Sequence, residues 1–455
     1  MTPPSGTGFH QRTLEYTGGR VPKSPAGVAT GPATASSLAG QIAVISAVNL
    51  LARTHPHVLI CAPDVPLIVD LPLAAKSLPE ACLQLARAAR PNLAVELVEA
   101  IPSSVATIGV GADAPHGTIF AGARRWTALT SARPIEVTDD PSSALGSAMA
   151  VVLSHGYLFR HAIDQSSRVD SGLSLWSLTE TLEVTGPPEI YPVDVGTVWL
   201  VGAGAVGSSL AWWLRIFGMR GSWHVIDDDT VKELNVARSL AFFWADIDGV
   251  TGSPSYKCDV LARWLPDTTP HPVKWDAFRL DELPLPDVII PVANEDNVRA
   301  KIALLGHPAV IHATTGPGSV SELHRHLPGS DGCLSCRLPS DAPTFTCAAD
   351  TPEGQTQPSS GDAALPFLSA SSGLLLLTGL MQLQRGAWDL HGVNQWRLHF
   401  AGPSLQRVFW RCNAGCETLP SPTIRASQHA GSRWARLDSQ AVAHGDFDLV
   451  AKSLD

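Results

Sequence analysis

The chain reads as an α/β protein: two successive doubly wound, mostly parallel sheets, the second opening on a glycine-rich turn. Strand-length apolar runs alternate with helical segments along most of the sequence, as parallel sheets covered by helices require. The stretches ACLQLARAARPNLAVELVEAIPSSVATIGVG and KCDVLARWLPDTTPHPVKWDAFRLDELPLPDVIIPVA share the order helix, strand, linker, strand. That shared order predicts a pseudo-duplicated pair. The run from Thr197 to Leu210 fits strand, G-x-G-x-x-G, helix, the start of a Rossmann-like unit.

With 455 residues the chain exceeds one ordinary domain. Apolar residues make up 45% and charged residues 16%, which excludes overall disorder and allows large cores. The net charge is −10 with Lys and Arg scattered, so no nucleic-acid partner is expected. The opening MTPPSGTGFHQR has no apolar secretory core, and the apolar stretch Gly373 to Leu383 is too short to span a bilayer. The expectation is a cytoplasmic protein without a membrane partner. Its eight cysteines then read as metal ligands, reactive thiols or core residues rather than disulfides.

In order along the chain, residues 1–30 are rich in Gly, Pro, Ser and Thr and predict a flexible arm. Residues 31–190 predict a degenerate copy of the fold without a glycine loop. Its elements are a helix from Ser36 to Arg53, a strand in HVLICAP and a helix from Leu78 to Arg90. Strands Leu93 to Val98 and Val105 to Val110 follow, then a strand and turn within Gly117 to Thr130 and a helix from Ala144 to Ile163. Residues 191–455 predict the nucleotide-binding copy. Its strands are Thr197 to Val201, Trp223 to Ile226, Pro272 to Trp275 and PDVIIPVA. Its helices end near Phe217 and run over Cys258 to Leu265. Residues 339–366 are dense in Pro, Thr, Ser, Gln and Gly and predict a long functional loop.

In the glycine turn, Gly202 permits the tight bend, Gly204 lets backbone approach a phosphate, and Gly207 lets helix and sheet pack closely. The helix N-terminus adds free N–H groups for an anion. Asp227, at the end of the next strand, stands where a carboxylate accepts ribose hydroxyls. This much suits an NAD enzyme equally well.

The stretch VIDDDTVKELNVARSL resembles the signature of the ubiquitin-activating, or ThiF, superfamily of adenylyltransferases. Asp227 and Asp229 match its acidic positions, Asn235 its Asn and Arg238 its Arg, with Ser239 in place of a Gln; Lys257 matches the lysine opening the next helix. The resemblance implies ATP and magnesium as cofactors, with Asp227 on the ribose and Asn235, Arg238 and Lys257 on the phosphates. A carboxylate attacking the α-phosphate builds charge that such cations and donors stabilise. The family's magnesium-binding Asp falls on Asn294 when aligned on Arg299, and Glu295 or Asp296 can supply the carboxylate instead.

Cys333-Leu-Ser-Cys336 and Cys412-Asn-Ala-Gly-Cys416 form two close pairs, the ligand count and spacing of a closed structural zinc site. Cys347, in the long loop, occupies the place of a family thioester cysteine or is a plain free thiol. Cys61, Cys82 and Cys258 read as core. His324 and His326 sit in an H-x-H, read as solvent-facing histidines of a strand with metal binding as the sharper option. Arg12 and Arg20 are cations of the arm that a family member would reach into a nucleotide site. By resemblance the expected function is adenylation of the C-terminal carboxylate of a ubiquitin-like protein ending in glycine. A thioester on Cys347 and transfer to a conjugating enzyme would follow, in a setting such as bacterial antiviral defence. One chain would act as a pseudo-dimer, or pair as a homodimer. Open alternatives are adenylation of a peptide or sulfur carrier without a thioester, an NAD-dependent oxidoreductase, and a non-catalytic scaffold.

Overall fold

The computed structural model describes residues 6–165, 169–190, 194–248, 252–279, 283, 286–293, 296–305, 309–327, 331–337, 365–385, 393–413 and 416. The first half forms an eight-stranded sheet from β1 (Ala26–Thr30), β2 (His57–Cys61), β3 (Ala94–Leu97), β4 (Ala106–Val110), β5 (Ile119–Arg124), β6 (Thr127–Ser131), β7 (Ser171–Ser174) and β8 (Thr179–Glu180), in the order β3-β2-β1-β4-β5-β6-β7-β8. The second half repeats it with β9 (Asp194–Val201), β10 (Arg220–Ile226), β11 (Thr268–His271), β12 (Val288–Pro291), β13 (Val310–Gly316), β14 (Val320–His326), β15 (Gln395–His399) and β16 (Ser404–Val408), in the order β11-β10-β9-β12-β13-β14-β15-β16. Subtracting eight from each label of the second sheet returns the first. Strand sense agrees too: five strands of each sheet are parallel, and the last three join by antiparallel pairing. The two halves are structural copies.

Three expectations need correction. Residues 26–30, assigned above to a flexible arm, form β1, paired with β2 on one side and β4 on the other. Two short helices, Gly6–Phe9 and Gln11–Thr17, precede it. The strand expected at Pro272 to Trp275 lies earlier, at Thr268–His271, and Trp275–Ala277 is a 3-10 turn. β11 is an edge strand, where a proline such as Pro270 is tolerated because its missing N–H faces away from the ladder. Within Gly117 to Thr130 there are two strands, joined at Arg125 with φ +53°.

Four helices lie at the seam between the copies. Leu38–Thr54 follows β1 as Ala205–Ile216 follows β9; Ser143–Ala162 precedes β7 as Pro366–Arg385 precedes β15. Ser37 caps the first of these, its hydroxyl accepting from Gly40 N at 3.0 Å. Gly373 brings Pro366–Arg385 close to Ala205–Ile216: a Cβ there would meet Leu210 N at 2.7 Å. Trp213 Nε1 donates to Ala370 O at 2.8 Å across the same contact. Phe367 then packs, tilted by 49°, against Phe159 and His155 of the first copy, and Gly156 leaves room for Phe400. One hydrophobic core therefore runs through both halves. Pro366–Arg385 is long and apolar enough to cross a bilayer, but it is buried from Pro366 to Leu383 and serves as a core helix.

Candidate nucleotide and metal sites

Both sheets change winding direction between their first and fourth strands, and open α/β sheets bind ligands in the crevice at that point. In the second copy the crevice lies between β9 and β12. Gly202 turns the chain there at φ +104°, and a Cβ on it would meet Ala293 N at 2.5 Å. A Cβ on Gly207 would meet Gly202 O at 2.4 Å, so the helix start is packed tightly under the turn. Around Gly204, by contrast, nothing lies within 4 Å of the Cβ position. Gly204 is also the N-cap of Ala205–Ile216, and no side chain caps that helix. The middle glycine therefore presents open space at an uncapped helix N-terminus, a setting suited to a phosphate.

The carboxylate of Asp227 folds this turn. Its two oxygens accept separately, one from Ala203 N at 2.6 Å and the other from Asp229 N at 2.9 Å. Burial raises its pKa, opposed by the charge of Lys257 and the two N–H donors. Asp229 pairs with Lys257 Nζ at 2.6 Å, and Lys257 N donates to Asp229 O at 2.9 Å. Lys257 is buried at the start of the helix Lys257–Ala262. Asn235 is buried on the short helix Glu233–Val236, and its amide oxygen accepts from Lys232 N at 2.9 Å, capping that helix. Arg238 is half-buried, one turn further on. The structure thus brings Gly202, Gly204, Gly207, Asp227, Asp229 and Lys257 to one place. Asn294 lies outside the described residues, and Asp296 opens the helix Asp296–Leu304. Arg299 of that helix donates from Nε to Ala293 O at 2.9 Å, fixing the end of β12. Cys347 and nearly all of residues 339–366 also lie outside the described residues.

The same crevice in the first copy is filled. Strand register equates Thr30 with Val201 and Val110 with Pro291, so Gly31 corresponds to Gly202 and Asp113 to Asn294. The carboxylate of Asp113 accepts from Ala33 N at 2.8 Å, from Thr34 N at 3.1 Å and from the Thr34 hydroxyl. A carboxylate of the chain itself sits on the backbone N–H of Ala33, the register counterpart of Gly204. Only the missing glycines are legible in the sequence.

The first copy also supports the segment 236–242 from behind. Arg53, fully buried on Leu38–Thr54, donates to Val236 O, to Leu240 O at 3.0 Å and to Phe242 O at 3.2 Å. Asn49 fixes its Nε and itself donates to Leu240 O at 3.2 Å. Burial lowers the Arg53 pKa to about 9, with Asp246 acting against it. The carbonyls it serves follow directly on Asn235 and flank Arg238. In Arg53→Met the Val236 and Phe242 carbonyls lose this donor inside the core, while Leu240 O keeps Asn49, a cost on the order of 3 kcal/mol. The expected result is a lower unfolding midpoint together with weakened nucleotide affinity. Arg53→Lys should rescue neither, since a point charge cannot replace a three-carbonyl fork. Unchanged affinity in a folded Arg53→Met chain would remove Arg53 from the site. Of the two arm arginines, Arg20 donates from Nη1 to Ile163 O at 2.9 Å at the end of Ser143–Ala162, and Arg12 pairs with Glu15 at 3.1 Å.

The four cysteines converge. Sulfurs of Cys333, Cys336, Cys412 and Cys416 lie within 4.8 Å of one another, with Cys333 Sγ and Cys416 Sγ 3.5 Å apart. Tetrahedral zinc with Zn–S bonds of about 2.3 Å needs sulfur separations of about 3.8 Å. Backbone N–H groups already point at the sulfurs: Cys333 N at Cys412 Sγ, Cys336 N at Cys333 Sγ, and Asn413 N at Cys336 Sγ. The donor set therefore fits zinc. His324 and His326 are not solvent-facing, as the H-x-H had suggested. Both are buried on β14, beside His312 of β13. His312 was missed because only strand pairing brings it opposite His324.

Residues 26–175 match the family of the BilD N-terminal domain. The match begins at the first residue of β1 and ends one residue after β7, so the matched region covers most of the first sheet. An uncharacterized protein, y4jF of Sinorhizobium fredii, is 27% identical over 265 residues, which are 56% of this chain and 48% of that protein. The matched region thus spans about half the length of this curated relative. Among solved structures, E. coli MccB with ATP shows 14% identity and a TM-score of 0.36, covering 49% of this chain and 66% of MccB. MccB in complex with N-formylated MccA shows 14% identity and a TM-score of 0.38, covering 49% and 67%. Likeness at that level carries no inference about chemistry.

Proposed function

We propose that the second copy binds Mg-ATP and adenylates a carboxylate, the first copy serving as its non-binding structural twin. The observation that carries this is the contrast between the crevices: open at Gly204 in one, filled by Asp113 in the other. Asp227 then accepts from the ribose, while Lys257, Arg238 and Asn235 stand on elements that bound the phosphate side. The ThiF-like order of these residues favours adenylation over hydride transfer. In the reaction, a carboxylate oxygen attacks the α-phosphorus and pyrophosphate leaves, with Lys257 and Arg238 stabilising the charge that builds there. Magnesium would be held by carboxylate oxygen from the 294–296 segment, Asp296 first, and supplies charge neutralisation on the phosphates.

The finer reading is that the carboxylate is the C-terminal glycine of a ubiquitin-like protein. Cys347 sulfur then attacks the acyl carbon, AMP leaves, and the thioester passes to a conjugating enzyme. It rests on sequence resemblance and on the place of Cys347 in the chain. Zinc on the four cysteines is part of the same proposal, with a structural role.

Calorimetric titration of the full chain with Mg-ATP, and separately with NAD, tests the core of it. One ATP per chain, with Kd on the order of micromolar and no heat from NAD, is the expected outcome. NAD binding without ATP binding would return the loop to oxidoreductase chemistry.

A further inference from the structure

The antiparallel wing of the second sheet carries a group of side chains that the adenylation chemistry does not use. His312 on β13 faces His324 on β14 across the strand pair, and His326 lies two residues on, on the same face. All three are at most 5% exposed, and one nitrogen from each lies within 4.8 Å of the other two. Three histidines in such a space are an imidazole ligand set for zinc or a similar borderline divalent ion.

Hydrogen bonds to these rings identify which nitrogens carry protons. His326 Nδ1 lies 3.0 Å from Gly332 O, which can only accept, so this nitrogen carries the proton and Nε2 keeps its lone pair. His324 Nε2 lies 2.8 Å from Glu322 Oε2. Glu322 also pairs through Oε1 with Arg397 Nε at 2.9 Å, and its Oε2 accepts from Gln395 Nε2 at 2.8 Å. The carboxylate therefore accepts, His324 Nε2 carries the proton, and Nδ1 is left as the ligand atom. A backbone carbonyl and a carboxylate fixing the tautomers of two histidines form the outer shell that metal-bound imidazoles have. His326 Nε2 in turn lies 2.9 Å from His312 Nδ1, so the ion-free group closes on a hydrogen bond from His312 Nδ1.

We propose that His312, His324 and His326 form a second zinc site, separate from the four cysteines. Binding moves the His312 proton from Nδ1 to Nε2, so the ring stays neutral. The ion replaces the hydrogen bond between His312 and His326, and the rings turn from their near-parallel stacking to converge on it. The two metal centres share a wall. Gly332, which receives the His326 bond, precedes Cys333, and Trp410, whose ring lies 5.3 Å from His326, comes two residues before Cys412. Together they would tie β13 and β14 to both cysteine-bearing segments.

The test is independent of ATP chemistry. Zinc content is measured by elemental analysis on the full chain and on His312→Gln and His324→Gln, with the zinc absorption edge of the wild type read for its ligand atoms. Expected are about two zinc ions per chain, falling to about one in either variant. The wild-type edge should show sulfur and nitrogen scatterers in comparable amounts, a readout that does not depend on either variant folding. One zinc per chain with an all-sulfur shell would overturn the proposal. A single zinc with a nitrogen shell would support it and instead count against the cysteine centre.

Discussion

Asp227→Ala should lose ATP binding in calorimetry, with Kd rising by about 100-fold or more. Two effects add. A bound ribose would lose its acceptor, and the N–H groups of Ala203 and Asp229 lose theirs, so the turn that opens at Gly204 is no longer held. Each unpaired buried donor costs about 1–3 kcal/mol, and 1.4 kcal/mol is a factor of ten in Kd. Asp227→Asn is the sharper variant. Its side chain has one oxygen for two donors, and its amide nitrogen must face one of those N–H groups. It should resemble Asp227→Ala rather than the wild type. Wild-type affinity in Asp227→Asn would show that the carboxylate neither folds the turn nor touches the nucleotide.

The second large effect is expected at the cysteines. Cys412→Ser should lower the zinc content by one ion per chain and depress the unfolding midpoint by several degrees. Structural zinc contributes on the order of 10 kcal/mol to the segments it holds, and a lost ligand forfeits much of that. The wing around it depends on the same segment: Asn394, just before β15, exchanges two hydrogen bonds with Trp410, at 2.8 and 3.1 Å. Prolonged chelation of the wild type should reproduce the variant. A Cys412→Ser chain with full zinc content and an unchanged midpoint would leave the cluster as four reduced thiols.

Much of this was legible in the residues. Thr197 to Leu210 and Asp227 mark their places in the fold locally, because turn, helix start and strand end lie within about thirty residues. The paired cysteines announce themselves by spacing. β1 was hidden because AGVAT is short, lacks large apolar side chains and sits among Gly, Pro and Ser, so no periodicity stands out. Asp113 and Arg53 were hidden for another reason. Asp113 meets Ala33 and Thr34 from 80 and 79 positions away, and Arg53 meets Leu240 from 187. Neither partnership leaves a trace in local pattern. His324 and His326 were visible as an H-x-H, but their burial depends on what packs over the strand.

The filled crevice in the first copy also redistributes which residues are free to drift. The Asp113 carboxylate, already held by Ala33 N and by Thr34 in the short helix Pro32–Ala35, asks little else of the strand ends around it. With the second copy as the proposed catalytic one, selection for chemistry would be lifted from this half of the doubled fold. It remains at the seam, where Arg53 and Asn49 serve the other half, so lineages of this chain should diverge in the first crevice while holding the helix behind it nearly constant.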